Sequence, residues 1–210
     1  MPRCLHHKTK FVAKYFNQKF CMEDEDCIDA SIQYARDKVK VKQTKDWQKE
    51  KKVLKTALKT KSDYERDLQK EVNSIVRLID KGFVCISTGK PLNDKFDAGH
   101  FYSRGANATL KFNLFNIYAQ SVYANQYLSG DQTNFISGLR QHYGNEHAEY
   151  VLSLKSITVP LKLTNDDLKE KTAIARGIVK WLKLQEKTFD AKERIELRLK
   201  FNNELGIYKK

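Results

Sequence analysis

Between positions 38 and 61 the chain carries ten lysines and only two acids, Asp46 and Glu50, a net charge of +8. Ammonium groups at this density repel one another and are not desolvated without partners, so this stretch cannot enter a core. Its apolar residues are few but regular. Trp47, Leu54 and Leu58 fall at i, i+7 and i+11, with Val53 and Ala57 beside them, which makes one narrow stripe on an otherwise cationic helix. The chain must therefore fold around a solvated rod, which serves as a linker, as a DNA-contacting arm, or as both.

The rod holds most of the +13 formal charge of the 210-residue chain. A basic excess of this size points to a polyanionic partner. Nucleic acid fits better than a membrane surface, because the apolar residues of the rod are sparse. The sequence has no run of 18 apolar residues, so no membrane-spanning helix and no membrane partner are expected. The opening MPRCLHHKTK has no apolar signal segment, and a cytoplasmic, nucleoid-associated location is expected. In a reducing compartment the four cysteines, Cys4, Cys21, Cys27 and Cys85, read as thiols or metal ligands rather than disulfides.

Residues 1–30 read as a small Cys/His element. Cys4-x-x-His7 supplies one half of a candidate Zn²⁺ site and Cys21-x5-Cys27 the other, since zinc takes four such ligands in a tetrahedron. His6 can stand in for His7, and the alternative is four unliganded side chains. Residues 31–61 are the basic helical arm. Ser62 and Glu65 are expected as a capping box for a helix with Leu68, Val72, Ile75, Val76 and Ile79 on one face, closed by Gly82. FVCIST reads as a strand turning at Gly89, and KFDAGHFYS as a second strand. A polar loop follows, then a short strand IYAQSV and a short helix near Asn125 ending at Gly130. The remainder is helical, with a break at Gly144, a cap at Thr164-x-x-Asp167 and a last helix over 190–204. His142 and His147 read as ordinary surface or core residues. The expected class is α+β and mostly helical.

The stretch DAGHFYSRGA holds a single histidine, His100, at the end of its strand. It is either a half-buried strand histidine or a general base facing a phosphodiester. The order of elements around it resembles the ββα-metal unit of HNH endonucleases. More closely, the chain resembles the NinG (Rap) family of lambdoid phage recombination proteins. The resemblance rests on LKTALKTKSDY and on FVCISTGKPLNDKFDAGHFYSRGANATLKFNLFNIYAQSVYANQYLSGD. Within the latter, D-A-G-H-[FY], L-[KR]-F-N, N-I and N-Q-x-x-S-G-[ND] keep the family spacing without a gap. It covers most of residues 1–155, including the cysteine element in kind.

The resemblance implies a structure-specific endonuclease that cuts branched DNA, notably Holliday junctions, in the host cytoplasm. Its small HNH-like core would occupy residues 62–155, flanked by the basic N-terminal helix and by C-terminal helices over 156–210. His100, Asn116 and Asn125 fall on the three HNH positions. A neutral imidazole can take a proton from water, with Asn116 as orienter of the ring. A hard divalent ion, Mg²⁺ or Mn²⁺, needs oxygen donors. Asn125 and Asp97 offer them, although strand alternation sets Asp97 and His100 on opposite faces and a purely structural role for Asp97 is the alternative. Arg104, Lys111, Lys49, Lys51, Lys52 and Lys55 are the candidate phosphate contacts. Gly99 reads as room for close approach of a phosphate. A homodimer fits the two cuts of junction resolution, and other recombination proteins are further candidate partners. The chain departs from the family at its two Cys-x-x-Cys knuckles, which read Cys85-Ile-Ser-Thr88 and Ser121-Val-Tyr-Ala124, and at two histidine positions, which read Tyr118 and Tyr127. Zinc is therefore expected in the N-terminal element only. The rival readings are a DNA-binding protein that keeps the fold with impaired catalysis, and a sequence-specific HNH nickase.

Overall fold

The computed structural model describes residues 1–128 and 130–208, so Ser129 of the family motif and the last two residues lie outside it. The chain parts into two compact units at Lys59 and Thr60. The expected divisions after 30 and 155 are not boundaries. Helix α1, Glu25–Ala57, carries Cys27 in its first turn, so the Cys/His element and the basic rod are one unit. The C-terminal helices share the core of the second unit rather than standing apart.

In the first unit the loop before α1 folds back on itself, with an isolated bridge between Arg3 and Lys10 and the Leu5 amide bonded to the Lys19 carbonyl at 2.8 Å. Its small core is Cys4, Phe11, Phe20, Cys21 and Cys27. Asp24 caps α1, its carboxylate accepting from the Cys27 amide at 2.7 Å.

The second unit begins with α2, Lys61–Ile79. Its capping box is Thr60 with Asp63, not Ser62 with Glu65: the Asp63 carboxylate accepts from the Thr60 amide at 2.9 Å. Both pairs fit the pattern, but Glu65 is committed to an ion pair with Lys111 at 2.7 Å. The FVCIST strand reduces to a single bridge between Val84 and Pro91, because proline has no amide to extend a ladder. The strands are β1, Asp97–His100, and β2, Ile117–Gln120, antiparallel with Asp97 opposite Gln120 and His100 opposite Ile117. A π-helical turn, Tyr123–Tyr127, follows. Then come α3, Gln132–Tyr143, and α4, Asn145–Ser153, broken at Gly144 as expected. Helix α5, Asn165–Lys183, opens on the Thr164–Asp167 box, and α6, Ala191–Leu205, completes the fold.

The ribbon lies between two apolar clusters. Ala98 and Ile117 join the cluster built on α2, α5 and α6, while Phe101 and Tyr118 join the one built on α3 and α4. Both faces are covered, which is why all four residues of β2 are buried. At the seam sits an ion pair. Asp80, the C-cap of α2, is 1% exposed and accepts from the fully buried Arg198 of α6 at 2.7 and 2.9 Å. Asp80 also accepts from the Ala119 amide of β2 at 2.9 Å. Arg198 donates to the Leu114 carbonyl at 3.1 Å and lies 4.2 Å from the Tyr118 ring centre.

His147 of α4 is inside this core rather than at the surface. The hydroxyl of Tyr118, whose own pKa is pushed far up by burial, is hydrogen-bonded to His147 Nε2 at 2.6 Å. Burial first, and the Arg198 charge second, lower the His147 pKa to about 4. The unfolded chain takes up that proton near pH 6.5 and the folded chain only near 4. This contribution to stability is therefore complete above about pH 6.5 and lost as pH falls towards 4. Thermal melts of the wild type should drop between pH 7 and 5, and His147→Gln should flatten that drop.

Candidate active site and candidate metal centre

One polar cleft of the second unit, about 440 Å³, gathers Asp97, His100, Ser103, Arg104 and Asn125 with Asn73 and Arg77 of α2. The antiparallel pair places the first three of these groups, since Asp97 and His100 end β1 and Ser103 follows it. The His100 ring is fixed by its Nε2, which lies 3.0 Å from the Lys111 carbonyl oxygen. With the Nε2 proton donated there, Nδ1 is the nitrogen that keeps a lone pair. Burial lowers the His100 pKa below its ordinary value and the charge of Arg104 adds to this, against the opposing pull of the Lys111 carbonyl. The ring is therefore neutral at physiological pH.

Asp97 lines the same cleft as His100. The burial pattern of β1 is intermediate at both ends and buried at Ala98 and Gly99, and the cleft reaches both ends of the strand, so residues whose side chains alternate in direction both line it. The Asp97 carboxylate accepts from Asn125 Nδ2 at 2.8 Å and from Gln126 Nε2 at 2.9 Å. The carboxylate and the amide oxygen of Asn125 are the hard donors of the cleft. Two oxygen ligands, with water and a phosphate, suit Mg²⁺, which retains several waters.

Asn116 does not orient His100. It is fully buried, its Oδ1 accepting from the Tyr102 amide at 2.8 Å and its Nδ2 donating to the Tyr102 carbonyl at 3.0 Å. It ties the loop after β1 to the entry of β2, and the orienting atom is the Lys111 backbone oxygen. The Lys111 ammonium is turned to Glu65 instead of the cleft. Gly99 does not admit a phosphate either: a Cβ there would collide with Gln120 Oε1. Gln120 needs the space to donate to Ser87 at 2.6 Å and to the Gly130 carbonyl at 2.7 Å. Arg77 and Asn73 escaped the sequence reading. Their signal is the polar row Gln69, Asn73, Arg77 at intervals of four beside the apolar face of α2, with Gln69 donating to Asn73 at 2.8 Å.

The substituted knuckles meet without a metal set. Cys85 Sγ accepts from the Ser121 amide at 3.2 Å, and Ser121 Oγ from the Ala124 amide at 3.2 Å. Tyr118 is a core residue, and Tyr127 is 73% exposed and stacked on Tyr123 with ring centres 5.9 Å apart.

In the first unit Cys4, His7, Cys21 and Cys27 place their ligand atoms within 4.8 Å of one another. Cys27 Sγ is 3.6 Å from both Cys4 Sγ and Cys21 Sγ, and His7 Nδ1 is 3.2 Å from Cys21 Sγ. A tetrahedral zinc with Zn–S of about 2.3 Å has S···S edges of about 3.8 Å, so this set could hold zinc. His7, rather than His6, is the fourth ligand of the set. Its Nε2 is 2.9 Å from Asp24, the outer carboxylate that fixes the ring of a liganding histidine. Burial raises the Cys4 thiol, but amide hydrogen bonds, chiefly from His7 and Cys21, outweigh it and bring Cys4 down to about 6. Lys49, Lys51, Lys52 and Lys55 are exposed along α1 of this unit.

A family model described as "Bacteriophage Lambda NinG protein" matches residues 1–186. The chain belongs to the NinG family. It is similar to Protein ninG of Escherichia phage lambda, 34% identical over 102 residues, 49% of this chain and 50% of that protein. It is likewise similar to Protein ninG of Enterobacteria phage H19B, 33% identical over 49% of this chain and 51% of that protein. Protein ninG of Salmonella phage P22 is 38% identical over 80 residues, 38% of this chain and 39% of that protein. The chain thus spans about half the length of the curated NinG relatives it matches. No solved structure matches it. Among the described residues no helix of this NinG chain is long and apolar enough to cross a membrane.

Metal analysis of the purified full chain should find about one zinc per chain, the content of one closed four-ligand site. Cys4→Ser/Cys27→Ser should lose it and Cys85→Ser should keep it.

Proposed function

We propose that this NinG protein is a divalent-metal-dependent endonuclease that cuts branched DNA. The observation that carries the reading is the cleft itself. A neutral histidine, held through Nε2 with its Nδ1 lone pair available, shares about 440 Å³ with a carboxylate, an amide oxygen and two arginines. The order of antiparallel pair and helical turn is the one a ββα-metal unit uses.

His100 Nδ1 takes the proton of the attacking water, and the Lys111 carbonyl keeps the ring aimed as it becomes charged. Asp97 and Asn125 would hold a Mg²⁺ or Mn²⁺ ion, which neutralises charge on the scissile phosphate and leaving oxygen. Arg77 and Arg104 bring two guanidinium groups to face the phosphate, favouring the transition state in which its charge grows. A second reading, binding of branched DNA without cleavage, draws on Tyr127, which stands at the surface where the family pattern has a histidine.

A four-way junction and a linear duplex of the same sequence separate the two readings. The junction should be cut only with Mg²⁺ or Mn²⁺. His100→Ala should lower the rate about 10²–10⁴-fold with binding and melting temperature kept. Because the unprotonated ring is the base and its pKa is lowered, the rate should rise with pH through a midpoint below 6.5 and level off above it. A wild type that binds junctions and never cuts them favours the second reading, and His100→Ala cutting at the wild-type rate removes His100 from the mechanism.

The exposed lysines of α1 should supply affinity rather than chemistry. Replacing Lys49, Lys51, Lys52 and Lys55 together by Gln should weaken binding and flatten the salt dependence by up to about four units of log–log slope. Fluorescence anisotropy across a salt series measures this, and an unchanged slope would assign the lysines to solvent alone.

A further inference from the structure

Helix α1 is 33 residues long, and Cys27 is its one buried residue. A helix of that length extends about 50 Å. Along it Ile28, Ile32, Val39, Trp47 and Leu54 are 41–58% exposed, and Leu58 at its C-cap is 79% exposed. Their intervals are 4, 7, 8, 7 and 4. At 3.6 residues per turn the six fall within a sector of about 120°, along one side of the helix. The series also reads the same from either end, with its centre at Gln43.

The charges are arranged about the same centre. From Glu25 to Asp37, α1 has four acids and only Arg36. From Lys38 to Ala57 it has eight lysines and only Asp46 and Glu50. One half is net −3 and the other +6. Residues equidistant from Gln43 carry opposite charge: Arg36 and Glu50, Asp37 and Lys49, Lys40 and Asp46. No two like charges within α1 stand at equal distances on either side of it.

We propose that α1 pairs antiparallel with α1 of a second copy of this chain, about a two-fold axis at Gln43. In such an isologous interface residue i meets j while j meets i. The register sets Ile28 against Leu58, Ile32 against Leu54 and Val39 against Trp47, so each of these six finds another, while Val53 at the edge of the stripe faces Gln33. The acidic half of each helix lies along the basic half of its partner. Parallel pairing would set the lysine halves against each other, and like charges at close quarters oppose association. Lys52 and Lys55 fall off the stripe and stay on the outer side of the pair, while Lys51 flanks it. The proposal stands on α1 alone and is independent of the nuclease reading.

Sedimentation velocity of the full chain should give a dimer at tens of micromolar. Ile32→Glu/Val39→Glu should give a monomer, with helicity and zinc content unchanged. Leu54→Glu, far from the Cys/His cluster, should do the same. A photocrosslinking residue at position 32 should attach to peptides from 49–58 of another copy. A monomeric wild type overturns the proposal. So do crosslinks to residues 25–37 of a second copy, which mean parallel pairing, or crosslinks to residues beyond 60 of the same chain, which mean that the stripe docks within the monomer.

Discussion

The second unit depends on one buried ion pair. Asp80 ends α2, Arg198 is on the last helix, and between them they bind the Ala119 amide within β2 and the Leu114 carbonyl just before it. A buried carboxylate or guanidinium is costly on its own, and the cost is offset only when its lone pairs and protons are all engaged. Here the engagement is largely with the backbone in and before β2, and Arg198 Nη1 alone of the pair's polar atoms is left without a hydrogen-bond partner. The pair therefore fixes position more than it adds stability: with α6 in place, β2 has one seat, and through the β1–β2 register so do Asp97 and His100. Arg194 repeats the theme, stacked 3.9 Å from the Phe83 ring centre and donating to the Ile79 carbonyl at 3.3 Å.

That control is invisible in the sequence. Asp80 and Arg198 are 118 positions apart, and nothing local marks either as buried; α6 reads only as a last, charged helix. What was legible is what periodicity and local chemistry carry. The apolar face of α2, the break at Gly144, the Thr164–Asp167 box and the two short strands follow from spacing and turn residues. The Thr60–Asp63 box was missed because two overlapping patterns competed and the winner was decided by Lys111, which takes Glu65 from another part of the chain.

The cleft divides the same way. Residue types at β1 were readable, but strand alternation separated Asp97 from His100, whereas the cleft is wide enough to take in both ends of this short strand. The orienting atom of His100 is a backbone oxygen, which no side-chain motif can announce. Asn116 was a sensible choice by type and the wrong atom by geometry. The Cys/His set was the easier case in residue type, because its four candidates are the ones that meet, although the Cys21-x5-Cys27 spacing is longer than the usual zinc pair.

Asp24 joins two events that are usually separate. One carboxylate oxygen receives the Cys27 amide and starts α1; the other faces His7 of the metal-ligand set. Starting a helix is its least favourable step, and a long polar helix has little packing to help it. In this chain the first turn is organised by the loop that precedes it, so the ordering of those side chains and the nucleation of the rod are one cooperative event. A metal ion bound there would act as a folding seed for a helix that reaches about 50 Å away from it.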